Sequence, residues 1–84
     1  MTATAKLRVY DNPETYDRYT VVYRRTGGVW PYYGLSSTPF HPCGFAQHGE
    51  LKTAPGTYLG ERINFNDLPA DCQKAVCMDL GVEK

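Results

Sequence analysis

The feature that most constrains this chain is the run Tyr16-Asp17-Arg18-Tyr19-Thr20-Val21-Val22-Tyr23-Arg24, followed closely by Thr26-Gly27-Gly28. β-branched and aromatic side chains fit a pleated, half-buried surface better than a helix. Strand geometry sends successive side chains to opposite faces. Tyr19, Val21 and Tyr23 therefore share one face, and Thr20, Val22 and Arg24 the other. Two consecutive glycines supply the positive φ of a tight hairpin turn, so a partner strand is predicted from Val29 to Leu35. Pro31 has no N–H for the ladder. It requires an edge strand or a position where no ladder bond is made, and the register of the hairpin stays open. A one-residue slip would exchange the faces of Trp30 and Tyr32 for those of Tyr33 and Leu35.

The remaining elements follow from similar patterns. Lys6-Leu7-Arg8-Val9-Tyr10 alternates polar and apolar side chains and reads as a short strand, broken by Asp11-Asn12-Pro13. Residues 34–56, with Pro39, Pro42 and Pro55 among turn formers, read as a long irregular loop anchored by Phe40 and Phe45. Tyr58-Leu59 and Arg62-Ile63-Asn64-Phe65 suggest a last strand, bent or bulged at Gly60. Leu68, Cys72, Ala75, Val76 and Leu80 recur at helical spacing, with Pro69 at the start and Gly81 at the stop. That stripe predicts a helix over 69–80, capped by Asn66 or Asp67. The expected fold is α+β: a small antiparallel sheet of three to four strands, one C-terminal helix packed on it, and a long irregular central loop. At 84 residues the chain is a single small domain, 1–84, with residues 1–5 expected to fray.

Composition narrows the function classes. Seven Tyr, three Phe and one Trp argue for a folded body, since disordered chains are poor in rings. Nine basic and nine acidic residues cancel, which argues against nucleic acid as a partner, because phosphate binding normally draws on a cationic surplus. Arg18, Arg24 and Arg25 nevertheless lie close together, and a Tyr/Arg sheet face that binds single-stranded nucleic acid is one alternative. No stretch approaches a membrane span, and Met1-Thr2-Ala3-Thr4-Ala5 lacks the apolar core of a signal peptide. An odd set of cysteines (Cys43, Cys72, Cys77) is not a disulfide framework. These features point to a reducing cytoplasm.

Chemistry-bearing residues concentrate in Pro39-Phe40-His41-Pro42-Cys43-Gly44-Phe45-Ala46-Gln47-His48-Gly49-Glu50. Cys43 and His48 could join Cys72 and Cys77 as a tetrahedral metal set, but the C-x4-H and C-x4-C spacings are not those of zinc knuckles. On a helix Cys72 belongs to the apolar stripe, and Cys77 reads as a flanking thiol. Cys43 with His41 or His48, oriented by Glu50 or Asp71, could form a thiolate–imidazole pair, although so small a domain has little room for a supported active site. A braced loop beside aromatic residues is pre-organised for binding. On that reading Trp30, Tyr32, Tyr33, Phe40, His41, Phe45, Gln47 and His48 are the candidate binding residues, for a protein partner. No catalytic residue, cofactor or metal is assigned.

Three segments carry a resemblance: Asp17-Arg18-Tyr19-Thr20-Val21-Val22; Pro39-Phe40-His41-Pro42 with Gly44-Phe45 and Gln47-His48-Gly49; and Leu59-Gly60-Glu61-Arg62-Ile63 running into Leu68-Pro69 and Cys72-Gln73. Together they resemble a group of small uncharacterised proteins of bacteria, phages and mobile elements. The resemblance implies a self-contained domain and an accessory role in a phage or mobile element; the leading expectation from the residues themselves is a non-catalytic module that binds a host macromolecule through loop 39–50 and the nearby aromatics. It carries no catalytic or ligand-binding residue with it.

Overall fold

A computed structural model describes residues 7–15 and 17–81; residues 1–5, expected to fray, lie outside the described residues, as do Lys6 and Tyr16. Five strands form one antiparallel sheet: β1 (Arg8–Asp11), β2 (Tyr19–Val22), β3 (Trp30–Leu35), β4 (Ala46–Leu51) and β5 (Glu61–Ile63), in the order β4-β3-β2-β1-β5. The expected three or four strands become five. One helix, α1 (Ala70–Leu80), closes the chain.

The hairpin forms where the two glycines allow it. Thr26 bridges to Val29, and Gly27 and Gly28 take φ of 60° and 83°, the paired positive values of a two-residue turn whose twist suits the flanking strands. Its register sets Val21 opposite Tyr33 and Val22 opposite Tyr32. β3 lies inside the sheet, and Pro31 is accommodated just beyond the end of β2. There its carbonyl accepts a bond from the Tyr23 N–H at 2.8 Å, and the reciprocal bond that proline cannot donate is the one missing.

The core lies between sheet and helix. Val9, Tyr19, Val21 and Leu35 face Leu68, Cys72, Ala75 and Val76, and all eight are buried. The helical stripe is thus the core-facing stripe, and Leu80 is half-buried at its end. Cys77, expected to flank it, is buried as well, at 5% exposure. The helix starts at Ala70, with Pro69 just outside it, and Asn66 and Asp67 do not cap it. Asp67 instead accepts a bond from the Asn64 N–H at 3.0 Å, closing the 3-10 turn Phe65–Asp67. Gly81 ends the helix in the left-handed region.

Two expectations in the middle of the chain are corrected. Residues 34–56 are not one irregular loop, because β4 pairs along its whole length with β3. Its sequence, Ala-Gln-His-Gly-Glu-Leu, has no β-branched or aromatic residue; pairing to β3 makes it a strand. The stretch 58–65 is not one bent strand either. A 3-10 turn (Thr57–Leu59) precedes Gly60, and β5 occupies only Glu61–Ile63.

The path between β4 and β5 shapes the second face. β4 ends beside Trp30, at the hairpin end of one edge; β5 begins beside Asp11, at the far end of the opposite edge. Residues 52–60, the strap, therefore connect opposite corners of the sheet and reach the Asp11 end at Gly60. Phe65, Leu68 and the helix fill one face; on the other, called the strapped face below, Tyr10, Thr20 and Val22 are buried.

Candidate functional site

Strand parity divides the sequence-predicted residues between two faces and a loop. Trp30, Tyr32 and Gln47 fall on the strapped face, and Tyr33 and His48 on the helix face. Phe45 joins the strapped face, because its ring lies against the site where a Gly34 side chain would project. Trp30, Tyr32 and Tyr33 are all half-buried. They do not form one patch beside loop 39–50.

The loop itself is ordered by backbone bonds. At its base the Ser36 N–H donates to the Phe45 carbonyl, and the Phe45 N–H donates to Ser36 Oγ, each at 2.9 Å. Within it the His41 N–H donates to the Thr38 carbonyl, and the Gly44 N–H to the His41 carbonyl. Phe40 does not anchor the loop. It is 51% exposed, with the Lys74 ammonium 5.8 Å from its ring centroid. The Cys43 backbone N–H donates to His41 Nδ1 at 3.0 Å. That bond engages the imidazole with the main chain, and no hydrogen bond joins the Cys43 thiol to a histidine among the described residues.

Cys72 is also committed elsewhere. Its thiol is fully buried and donates to the Ser36 carbonyl at 3.2 Å, and burial pushes it up to about 11. Cys43 is exposed, and all three cysteines are free thiols. Among the described residues no three His, Cys, Asp or Glu side chains converge as a metal site would need, so Cys43, His48, Cys72 and Cys77 are not brought together.

On the helix face His48 stacks on Tyr33, with ring centroids 4.1 Å apart and planes 5° from parallel. His48 Nε2 lies 2.7 Å from Asp79 Oδ1, which ties the edge strand to the end of the helix. Next to that pair the Tyr23 hydroxyl is buried without a well-directed hydrogen bond among the described residues. Burial, and secondarily the Asp79 carboxylate, push it far above the usual phenol range. A hollow of about 420 Å³ between Leu7, Pro31 and Leu80 opens beside it.

The most distinctive chemistry lies at the hairpin end of the strapped face. Arg8 on β1, Arg24 and Arg25 after β2, and Trp30 at the start of β3 surround a cleft of about 400 Å³ floored by Val22. The Arg8 guanidinium lies 5.2 Å from the Trp30 ring centroid, within cation–π range. Arg24 and Arg25 are exposed. No carboxylate lines the cleft. Arg18, at the far end of the sheet, is spent differently, on a two-point pair with Asp11 at 2.7 and 3.1 Å. Three arginines and an indole can hold an anion and a planar ring. They offer no nucleophile and no base.

The sequence points to Trp30 as a binding residue and to Arg24 and Arg25 as part of a cluster with Arg18, but not to Arg8 as their neighbour. The signal was present in the Arg24-Arg25 pair ahead of the turn and in the parity that puts Arg8 opposite Val22. Known protein families, curated proteins and solved structures contain no match to this chain. No described helix is long and apolar enough to cross a membrane.

Proposed function

We propose that this protein is a small binding module without turnover, and that it recognises an anionic partner through the Arg8–Arg24–Arg25–Trp30 cleft. The observation that carries this reading is the charge of the cleft: three arginines line one hollow whose lining holds no carboxylate, and the guanidinium of Arg8 lies over Trp30 within it. Guanidinium groups stay charged at physiological pH, so their mutual repulsion is relieved when a partner brings negative charge. Trp30 adds an apolar, orientable contact of the kind that dominates interface energetics. Occlusion or scaffolding of a host macromolecule is the action such a module performs. That suits the phage or mobile-element accessory proteins the sequence resembles, and three free thiols suit a reducing cytoplasm.

The test separates the cleft from loop 39–50. The full chain, an Arg8→Gln/Arg25→Gln variant and a Phe40→Ala/His41→Ala variant are used as baits in extract of the native host. The expected result is one partner retained by the full chain and the loop variant and lost by the cleft variant. Loss only with the loop variant would move the site to residues 39–50 and overturn the assignment.

A further inference from the structure

We infer that the anionic partner is single-stranded nucleic acid, with one base stacked on Trp30 and the flanking phosphates held by Arg8, Arg24 and Arg25. This rests on the reading of that cleft as the recognition surface. Two properties of the cleft select the ligand. Its volume of about 400 Å³ suits a nucleotide-sized group. Its chemistry pairs an aromatic platform with a surround of cations, the combination that tracks a single strand, because every base has a π-face and every linkage a charge. An acidic peptide would satisfy the arginines and leave the indole unused. A duplex is usually read by a helix or ribbon entering a groove, and the exposed surface of α1 offers Lys74 against Asp71 and Asp79.

The contact between Arg8 and Trp30 supplies the mechanism. In the free protein the guanidinium lies over the indole. An incoming base takes that place on the ring, and the displaced guanidinium turns to the adjoining phosphate. Binding thus exchanges an internal cation–π contact for one stacking contact and one charge-assisted hydrogen bond. Because Trp30 is the one tryptophan of the chain, its emission reports on the site directly.

The experiment titrates the full chain into a fluorescein-labelled oligothymidylate of about ten nucleotides and follows both anisotropy and Trp30 quenching across a salt series. Oligouridylate, duplex DNA and polyglutamate form the parallel arms. Three phosphate contacts predict that log K falls against log salt with a slope of about −2, and that Arg25→Gln makes the slope shallower by about 0.7. Trp30→Leu should weaken binding by about tenfold, and Trp30→Phe should restore most of it. Thermal melts of each variant confirm folding, and Arg25, being exposed, provides a variant free of core effects.

Unchanged affinity in a folded Trp30→Leu variant would overturn the stacking assignment. Polyglutamate binding that depends on Arg25 while oligonucleotides do not bind would overturn nucleic acid as the ligand and leave the anionic cleft standing. If no anion binds and Arg25→Gln alters nothing, both readings fall.

Discussion

Gly60→Ala is the substitution that most directly tests how the strap is seated on the sheet. Gly60 has φ 117° and ψ −162°, a region that only glycine occupies without strain. Placing a side chain there costs about 1–3 kcal/mol from backbone strain alone. Space adds to the penalty: a Cβ on Gly60 would overlap the Asp11 carbonyl and come within 3.0 Å of Asn12 Cβ. Those atoms belong to β1 and its following turn, and β1 holds β5 through the Asp11–Glu61 register, so neither strand can yield without loosening the pair. The combined expectation is a loss of about 3 kcal/mol. A domain of this size has roughly 4–13 kcal/mol in total, and each kcal/mol lowers its melting temperature by about 4–8 °C. The variant should therefore melt about 12–24 °C below the parent when followed by circular dichroism and by Trp30 emission. Gly56→Ala is the matched control. Its backbone is extended at φ −167°, and the nearest atom to a Cβ is Tyr58 Cδ1 at 3.7 Å, so it should stay within about 0.5 kcal/mol. If Gly60→Ala also stays within that margin, the close approach of the strap to Asp11 is wrong.

The thiols supply two further predictions. In native protein an aromatic disulfide reagent should modify Cys43 quickly and reach Cys72 and Cys77 only on unfolding, because only Cys43 is exposed; rapid reaction of all three would contradict the packing of the helix. Burial also sets a pH dependence. The unfolded thiol of Cys72 ionises around 9, and the native one is held protonated to about 11. Its contribution is thus fully present below pH 9 and is lost as pH rises through that window, at most about 2–3 kcal/mol. Tyr19, Tyr23 and Tyr33 are likewise raised by burial, so the quantity to measure is the difference in urea stability between the parent and Cys72→Ala. That difference should shrink between pH 9 and 11. A constant difference would mean that Cys72 is hydrated in the native state.

How much of the fold was legible follows from where its forces are local. The Tyr19–Val22 strand, the Gly27-Gly28 turn and the stripe through Cys72 and Val76 rest on periodicity and backbone freedom, which neighbouring residues determine. β4 was not legible, since Gln47, His48 and Gly49 have little strand preference of their own and take it from the ladder to β3. The helix start is hidden for a related reason. Asp67 has the residue type and position of a cap for α1, but the chain turns there first and uses that carboxylate on Asn64. The residues of loop 39–50 show the same dependence on the fold. His41, Cys43 and His48 look like one cluster because they are close in sequence, and the fold divides them: the His41 ring accepts from the Cys43 main chain, while His48 pairs with Asp79 on the helix face.

The charge balance shows why a whole-chain sum misleads. Acidic and basic side chains cancel, which taken alone argues against a polyanion as partner. A binding site responds to the potential within about one Debye length, roughly 8–10 Å at physiological salt. Strand pairing decides which charges share that distance. The Arg8–Val22 register and the Gly27-Gly28 turn bring Arg8, Arg24 and Arg25 into one cleft, whereas Arg18, only six residues before Arg24, is neutralised by Asp11. Asp71 and Asp79 stand on the helix, and Asp79 is paired with His48 on the opposite face of the sheet. The two signs are thus sorted by topology, and a neutral chain presents a cationic cleft beside its one tryptophan.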